Sequence, residues 1–268
     1  MYKNKKVAVS VVTAVIMLAC ACPVSGLLPT DDQPAQPGLT PGLPTILTLP
    51  PTPNVPKILI TTNPATQPPI PDSIDLEPGK IIYTDDFSTP SPEMESYSDD
   101  NGIVETRDGV YVVQSTNDVW NWGNSISEFS DIVIEFDATL VQAPSNHNAG
   151  IGVICRLIGR EDDSIDGYMF AISGDGYYSI SIAEAGTLNP LIDWTPSNVI
   201  NTGKTTNHVR ATCNGSELYL EVNGQLIANT TAVNANLTPG TFAFAAISYE
   251  ETEPVAEVHF DNLTISEP

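Results

Sequence analysis

The sequence has few basic residues: Lys and Arg number 10 against 33 acids, a formal net charge of −23. The excess is concentrated in residues 79–268, where 28 acids face 6 bases. Such a surface repels phosphate backbones and anionic lipid headgroups, which disfavours nucleic-acid binding and peripheral docking on a membrane. Solubility explains this charge more simply than a specific cationic partner does.

The motifs of common catalytic machinery are also missing. No Gly-x-Ser-x-Gly elbow, phosphate-binding loop or dinucleotide fingerprint occurs. The three histidines, His147, His208 and His259, are scattered without metal-ligand spacing. No window of twelve or more residues has a convincing amphipathic helical pattern. These absences disfavour the common enzyme classes and an α-helical fold.

The apolar run near the N-terminus, Val7 to Ala19, is 13 residues long, whereas a membrane-spanning helix needs about 20. It follows a segment, Met1 to Lys6, with three lysines and no acid. A basic start before a short apolar run is typical of a secretory signal peptide. An uncleaved membrane anchor fits this length less well.

The end of the run, Met17-Leu-Ala-Cys20, resembles the lipobox of bacterial lipoproteins. The resemblance implies that residues 1–19 are removed, that Cys20 is lipidated, and that the mature chain is held on the outer side of a bilayer by this anchor. Met17 departs from the usual leucine. Cys22 is a second candidate that fits worse, because Ala19 would stand where a large apolar residue is expected. An ordinary cleaved signal is the alternative.

Residues 20–78 are predicted to be a disordered Pro/Thr-rich linker. Pro23 to Pro78 contains 15 of the 23 prolines and no aromatic residue. Proline cannot donate to a strand ladder and favours polyproline II, so we expect an extended spacer rather than a core. Its full extension would be on the order of 150 Å. A docking site for a partner that binds proline-rich segments is the alternative.

Residues 79–268 have the pattern of an all-β domain. Ile132, Ile134 and Phe136 alternate with Val133 and Glu135, as in a half-buried strand. Gly174-Asp-Gly176 and Asn223-Gly224 supply hairpin turns between such runs. Roughly a dozen short strands predict a single two-sheet antiparallel β-sandwich.

Short motifs in the domain resemble those of the concanavalin A-like jelly roll, the superfamily of legume lectins, laminin G domains, several β-glucanases and a 3-keto-disaccharide hydrolase branch. The motifs are Asp85-Asp-Phe87, Phe129-Ser-Asp131, Gly150-Ile-Gly152, Cys155-Arg156, Tyr168-Met-Phe170, Leu191-Ile-Asp-Trp194, Val222-Asn-Gly224 and Phe260-Asp-Asn262. They extend over residues 81 to 266. The resemblance implies sugar recognition in general terms and no particular chemistry.

Glu135 and Asp137 are the weak catalytic candidates. They lie two apart on one predicted strand, so both carboxylates project from one face, and the pattern resembles the Glu-x-Asp-x-(x)-Glu strand of family 16 glycoside hydrolases. Those enzymes need two carboxylates flanking the scissile bond. Thr139 or Leu140 stands where the last glutamate would be, so the acid/base is missing. A solvated strand face is the simpler interpretation.

Exposed aromatic rings are the stronger functional candidates, because the C–H faces of sugars stack on them. The predicted ligand-binding residues are Trp120, Trp122, Tyr178 and Trp194. Trp120 and Trp122 are two positions apart, so on a strand both would face the same side. They alternate with asparagines, which suits an exposed rim. Of the adjacent Tyr177 and Tyr178, one must point outward. Rings that fill the sandwich core are the alternative.

A structural calcium ion is the one cofactor that the sequence suggests. Asp162, Ser164, Asp166 and Gly167 match the first half of a calcium loop, but Ser173 stands where the bidentate glutamate belongs. An acidic hairpin loop explains them better. The jelly-roll resemblance implies a second candidate, because such folds bring Asp86 and Asp261 together on their terminal strands.

Cys155 and Cys213 are the two cysteines of the domain. In an exported protein they most simply form a disulfide between neighbouring strands, and two buried free thiols are the alternative.

The sequence therefore predicts a surface-exposed lipoprotein whose domain binds glycans or another cell-envelope polymer without catalysis. A glycan hydrolase of the concanavalin A-like glucanase or 3-keto-disaccharide hydrolase type is one alternative. A structural or sensory ectodomain without a small ligand is another.

Overall fold

A computed structural model describes residues 79–162, 164–233 and 238–268. Every regular element in these ranges is a β-strand, so the predicted all-β class is confirmed. In chain order the strands are β1 (Ile81–Asp85), β2 (Tyr97–Asp99), β3 (Gly102–Arg107), β4 (Val110–Ser115), β5 (Asn121–Asn124), β6 (Ile132–Gln142), β7 (Ala149–Gly159), β8 (Ile165–Ser173), β9 (Tyr177–Glu184), β10 (Thr187–Pro196), β11 (Thr206–Asn214), β12 (Glu217–Val222), β13 (Gln225–Thr231), β14 (Thr241–Ser248) and β15 (Ala256–Ser266).

The strands form two antiparallel sheets that pack as a sandwich. The nine-stranded sheet has the order β13-β12-β11-β6-β15-β4-β3-β2, and β1 pairs with the C-terminal part of β15. The six-stranded sheet has the order β10-β9-β8-β7-β14-β5. The first and last strands are therefore hydrogen-bonded neighbours.

The core lies between the sheets and is formed by the inward residues of each strand. On β6, Ile134 and Phe136 are buried while Glu135 and Asp137 face outward, which confirms the predicted alternation. Phe244 of β14 stacks on Phe260 of β15 with ring centroids 4.2 Å apart. The ring of Phe136 meets Phe244 edge to face at 4.8 Å. Aromatic contacts of this kind join one sheet to the other.

Two further contacts tie the sheets together at one end. Cys155 on β7 and Cys213 on β11 form the predicted disulfide, but these strands belong to opposite sheets rather than being neighbours in one. Arg156 follows directly, and its buried guanidinium donates to the carbonyl oxygens of Ser130 (2.9 Å) and Gly215 (2.8 Å). It also pairs with the Asp131 carboxylate at 2.5 Å. All three partners lie beside strands of the nine-stranded sheet.

Both predicted hairpin turns are present. Gly174-Asp-Gly176 joins β8 to β9, and Asn223-Gly224 joins β12 to β13. Asn223 and Gly224 have φ of 50° and 75°, the left-handed pair that a tight hairpin with matching strand twist requires.

The described residues contain no helix long and apolar enough to cross a membrane. The signal peptide, Cys20 and the linker at residues 20–78 lie outside the described residues, so these remain predictions.

Candidate ligand-binding site

The outer face of the six-stranded sheet has a floor of small side chains. Strand alternation sends Ile151, Phe170 and Phe244 into the core, and residues of the opposite parity face outward. The outward positions include Gly150 and Gly152 on β7, Ala171 on β8, Ser179 and Ser181 on β9, and Ala243 and Ala245 on β14. Side chains of this size leave room for larger groups above the sheet.

The indole of Trp120 lies on this floor. A Cβ at Gly150 would be 2.7 Å from ring carbon Cη2 of Trp120, and one at Gly152 would be 3.1 Å from Cζ3. Only glycine lets the ring approach the strand this closely. The ring also meets Tyr249 edge to face, with centroids 6.1 Å apart and an interplanar angle of 86°. Trp120 therefore packs between the strand and Tyr249.

A cavity of about 370 Å³ opens at one end of the floor. Its lining residues are Asn148, Ser173, Asp175, Tyr177, Trp194 and Tyr249. Trp194 and Tyr249 meet edge to face with centroids 5.9 Å apart, although β10 and β14 are four strand positions apart in the sheet. The two side chains therefore lean toward each other over the strands between them, and we call this space the aromatic cavity.

The polar groups of the aromatic cavity are held by local hydrogen bonds. Asp175 lies in the β8–β9 turn, and the Ser173 hydroxyl donates to its carboxylate. The Tyr249 N–H donates to the Asn148 carbonyl oxygen at 3.1 Å, and the Asn148 amide donates to Glu250 at 3.1 Å. Burial of the phenol and the nearby Asp175 charge raise the pKa of Tyr249 well above its usual range, so this hydroxyl stays neutral.

A second cavity of about 780 Å³ opens at the other end of the same face. Trp122 lines it, opposite Ala245 in the pairing of β5 with β14. Glu95, Glu128 and Arg160 also line it. The Glu95 carboxylate accepts hydrogen bonds from both the backbone and the side-chain nitrogen of Asn124, at 3.2 and 3.0 Å. One face of one sheet thus presents aromatic rings at both ends.

No protein-family model and no curated protein matches the sequence, but solved structures do. A β-glucanase of Bacillus licheniformis has a TM-score of 0.52 at 13% identity, over 72% of this chain and 100% of that chain. A prokaryotic β-1,3-1,4-glucanase (lichenase) derived from a mouse hindgut metagenome has a TM-score of 0.53 at 10% identity, over 69% of this chain and 98% of that chain. A Bacillus subtilis protein of unknown function with a galectin-like fold has a TM-score of 0.51 at 11% identity, over 71% of this chain and 97% of that chain. The domain therefore has the concanavalin A-like jelly-roll fold. At these identities the likeness shows the fold and not the activity.

The jelly roll places three of the four predicted aromatic residues on the same sheet face. Trp194 is 39% exposed and lines the aromatic cavity, while Trp120 and Trp122 are partly buried against that face. The prediction for Tyr178 is wrong, because this ring is 3% exposed and packs in the core. Its neighbour Tyr177 takes the outward position, as strand alternation requires.

Sequence reasoning missed Tyr249, Asp175 and Asn148. Each lies just outside a strand, at a turn where the period-2 pattern ends, so no periodicity marks it. The usable signal was positional. Asp175 stands between the glycines of a predicted hairpin, and Tyr249 directly follows the apolar run of β14.

The weak catalytic candidates lie on the other sheet. Glu135 and Asp137 face outward from β6, and His208 bridges them, with Nδ1 2.8 Å from Asp137 and Nε2 3.1 Å from Glu135. Asn262 donates to the second Asp137 oxygen at 2.9 Å. Neither carboxylate lines the aromatic cavity or the second cavity.

The predicted calcium loop is a hairpin between β7 and β8. Asp166 pairs with Arg160 at 2.8 Å and accepts the Ala185 N–H, and these contacts lower its pKa. Asp162 accepts the Ser164 N–H and hydroxyl, which lower its pKa. A guanidinium beside both carboxylates supplies the positive charge that an ion would bring, and this favours the acidic-hairpin alternative.

The second calcium candidate rests on the pairing of β1 with β15, which the structure contains. Asp86 shares a cavity with Asn262, whereas Asp261 faces Asp137 across the β15–β6 pair and does not line that cavity. Within the described ranges no three His, Cys, Asp or Glu side chains are grouped to hold a metal. Calcium at Asp86 and Asp261 stays a prediction.

Proposed function

We propose that the jelly roll binds carbohydrate, without cleaving it, on the outer face of its six-stranded sheet. The observation that carries the proposal is the aromatic cavity, where Tyr177, Trp194 and Tyr249 stand over a floor of small residues. Binding sites for small ligands are concave and aromatic, with a few polar groups that fix orientation. Asp175, Ser173 and Asn148 are polar groups of this kind, suited to sugar hydroxyls.

The predicted anchor fits this role. A lipid on Cys20 and a spacer at residues 20–78 would hold the domain outside the membrane, where polymers of the cell envelope or of the surroundings are within reach.

Glycoside hydrolysis is the second candidate, because Glu95 and Glu128 line the second cavity together with Trp122. Cleavage needs two carboxylates placed on either side of the scissile bond. The aromatic cavity is lined by a single carboxylate, Asp175, so it lacks the pair that cleavage needs. Binding needs only the aromatic and polar groups that line it. Non-catalytic binding is therefore the better supported function.

Screening the full-length protein on a glycan array tests the proposal, with isothermal titration of any hit. We expect Trp194→Ala and Tyr249→Ala to weaken binding by about tenfold or more, a loss of at least ~1.4 kcal/mol. Tyr219→Ala is the matched control, because Tyr219 lies on β12 of the other sheet. No binding to any glycan, or binding indifferent to both cavity substitutions, would contradict the proposal.

Chromatography of the bound oligosaccharide after incubation separates the two candidates. Release of shorter products that is abolished by Glu95→Gln or Glu128→Gln would favour hydrolysis. An unchanged oligosaccharide supports binding alone.

A further inference from the structure

The aromatic cavity combines three aromatic side chains with one carboxylate. Tyr177 and Trp194 are each 39% exposed, Tyr249 is 36% exposed, and all three residues line the cavity. Asp175 is exposed on the same lining. Aromatic faces carry negative electrostatic potential and attract cations within about 6 Å of the ring centroid.

The Asp175 carboxylate has no cationic partner among the residues that the structure describes. Its partner is the Ser173 hydroxyl, and across the described ranges none of the ion pairs within 4.0 Å includes Asp175. Other carboxylates of the domain differ. Asp131, Asp166 and Glu221 each pair with an arginine.

The surroundings add negative potential. Glu250 is held ionised by hydrogen bonds from Asn146 and Asn148, which lower its pKa, and Asn148 itself lines the cavity. The raised pKa of Tyr249 has the Asp175 charge as one of its causes, which places this charge within electrostatic reach of the ring. A negatively charged sugar would be repelled here, whereas a cation would meet both the carboxylate and the rings.

We propose that the aromatic cavity selects a positively charged group, the ammonium of an amino sugar, with Asp175 as its counter-ion and Tyr177, Trp194 and Tyr249 as its walls. The inference rests on the proposed carbohydrate binding and specifies its ligand class. It assigns to Asp175 the role of a specificity-determining residue, in contact with the ligand's charge.

The test is titration of the full-length protein with two matched oligosaccharides, the oligomers of glucosamine and of N-acetylglucosamine. They share backbone and linkage, and N-acetylation replaces the ammonium group of each sugar unit with a neutral amide. At about pH 6 most of the free amine is protonated, so the glucosamine oligomer is a cation. We expect the glucosamine oligomer to bind about tenfold tighter, and the preference to fall as salt screens the charges.

Asp175→Asn should remove the preference while retaining an oxygen that can accept from Ser173. Asp108→Asn is the matched control, because it removes the same charge from a turn of the other sheet, where asparagine tolerates the φ of 55°. If Asp175→Asn does not fold, the wild type is titrated at two salt concentrations instead. A preference for the glucosamine oligomer that falls with salt supports the proposal, and one that salt leaves unchanged contradicts it.

The outcomes separate the two proposals. Equal binding of both oligomers by the wild type would overturn the cationic ligand and leave carbohydrate binding standing. A preference that survives Asp175→Asn, or that Asp108→Asn removes equally, would also overturn it. If neither oligomer nor any neutral glycan binds, carbohydrate binding itself is overturned, and the cationic ligand with it.

Discussion

At the residue scale, the packing of Trp120 shows how glycine permits a close contact between a ring and a strand. The indole can lie against β7 because Gly150 and Gly152 have no Cβ beneath it, and from there it contacts Tyr249. The sequence predicts that Trp120 and Trp122 share a face, since their parity is the same. It does not predict that Trp120 lies flat on the sheet, because Gly150 is about thirty residues away and the contact depends on the pairing of β7 with β14.

Gly150→Ala should therefore displace Trp120. The new methyl would be 2.7 Å from the ring and 2.8 Å from Ile247 Cγ2, so we expect a loss of about 1 to 2 kcal/mol in the free energy of unfolding. The tryptophan emission spectrum should shift, and ligand affinity should fall because Tyr249 loses its neighbour. Urea unfolding and fluorescence measure both effects.

Gly159→Ala is the control for this substitution. It lies on the same strand with no atom within 4 Å of the added methyl. Its stability should be unchanged or slightly higher. An unaltered emission spectrum for Gly150→Ala would show that the ring does not rest on Gly150.

At the element scale, the long strands are the predictable ones. β6, β7, β14 and β15 carry continuous or alternating apolar patterns, because at least one face of each lies in the core. β10 has no such pattern, for a physical reason. It is an edge strand with Pro190 and Pro196, mostly exposed, and its pairing to β9 is interrupted by two register shifts. Edge strands of this kind lack the burial that creates a pattern.

The hydrogen bonds of Arg156 connect the two sheets, and their removal should destabilise the domain. Arg156→Ala removes the guanidinium donor of the Ser130 and Gly215 carbonyl oxygens and the ion-pair partner of Asp131, which keeps the hydrogen bond from the Gly215 N–H. Loss of a buried charged partner is destabilising by about 3 to 5 kcal/mol. Because Asp131 is half-exposed and can be rehydrated, we expect a smaller loss, about 2 to 3 kcal/mol.

Arg107→Ala is the matched comparison in the same urea experiment. Its pairs with Glu105 and Glu257 are more exposed, so the change should be within about 1 kcal/mol. Equal losses for the two arginine variants would show that Arg156 does not connect the sheets.

At the scale of the whole molecule, the candidate site depends on contacts that no local pattern contains. Asn148, Asp175, Trp194 and Tyr249 come from the ends of four different strands and meet because of the strand order in one sheet. The strand patterns and turns were sufficient to predict the sandwich, whereas the aromatic cavity depends on the pairing of β14 with β7. The disulfide is intermediate: the two cysteines were predictable as partners, but their position across the core was not.

Charge also acts on the whole domain, and two effects of pH oppose each other. The excess of acids destabilises the compact state by self-repulsion at neutral pH, and this repulsion is relieved as the pH approaches the isoelectric point near 4.1. Asp86, Asp166 and Glu250 have lowered pKa values in the folded state because of the hydrogen bonds that they accept. Their contribution is present above the unfolded pKa of about 4 and is lost as the pH falls through the folded pKa.

Salt should therefore stabilise the protein at neutral pH and lose this effect near pH 4. Screening of the net repulsion at pH 7 by added sodium chloride should raise the melting temperature by roughly 3 °C, which corresponds to about 1 kcal/mol for a domain of this size. Near the isoelectric point there is little net repulsion to screen, so the same salt should leave the melting temperature unchanged or lower it by weakening pairs such as Arg160 with Asp166. Thermal unfolding followed by circular dichroism at the two pH values measures the difference. A melting temperature at pH 7 that is indifferent to salt would mean that the acids lie too far apart to repel one another.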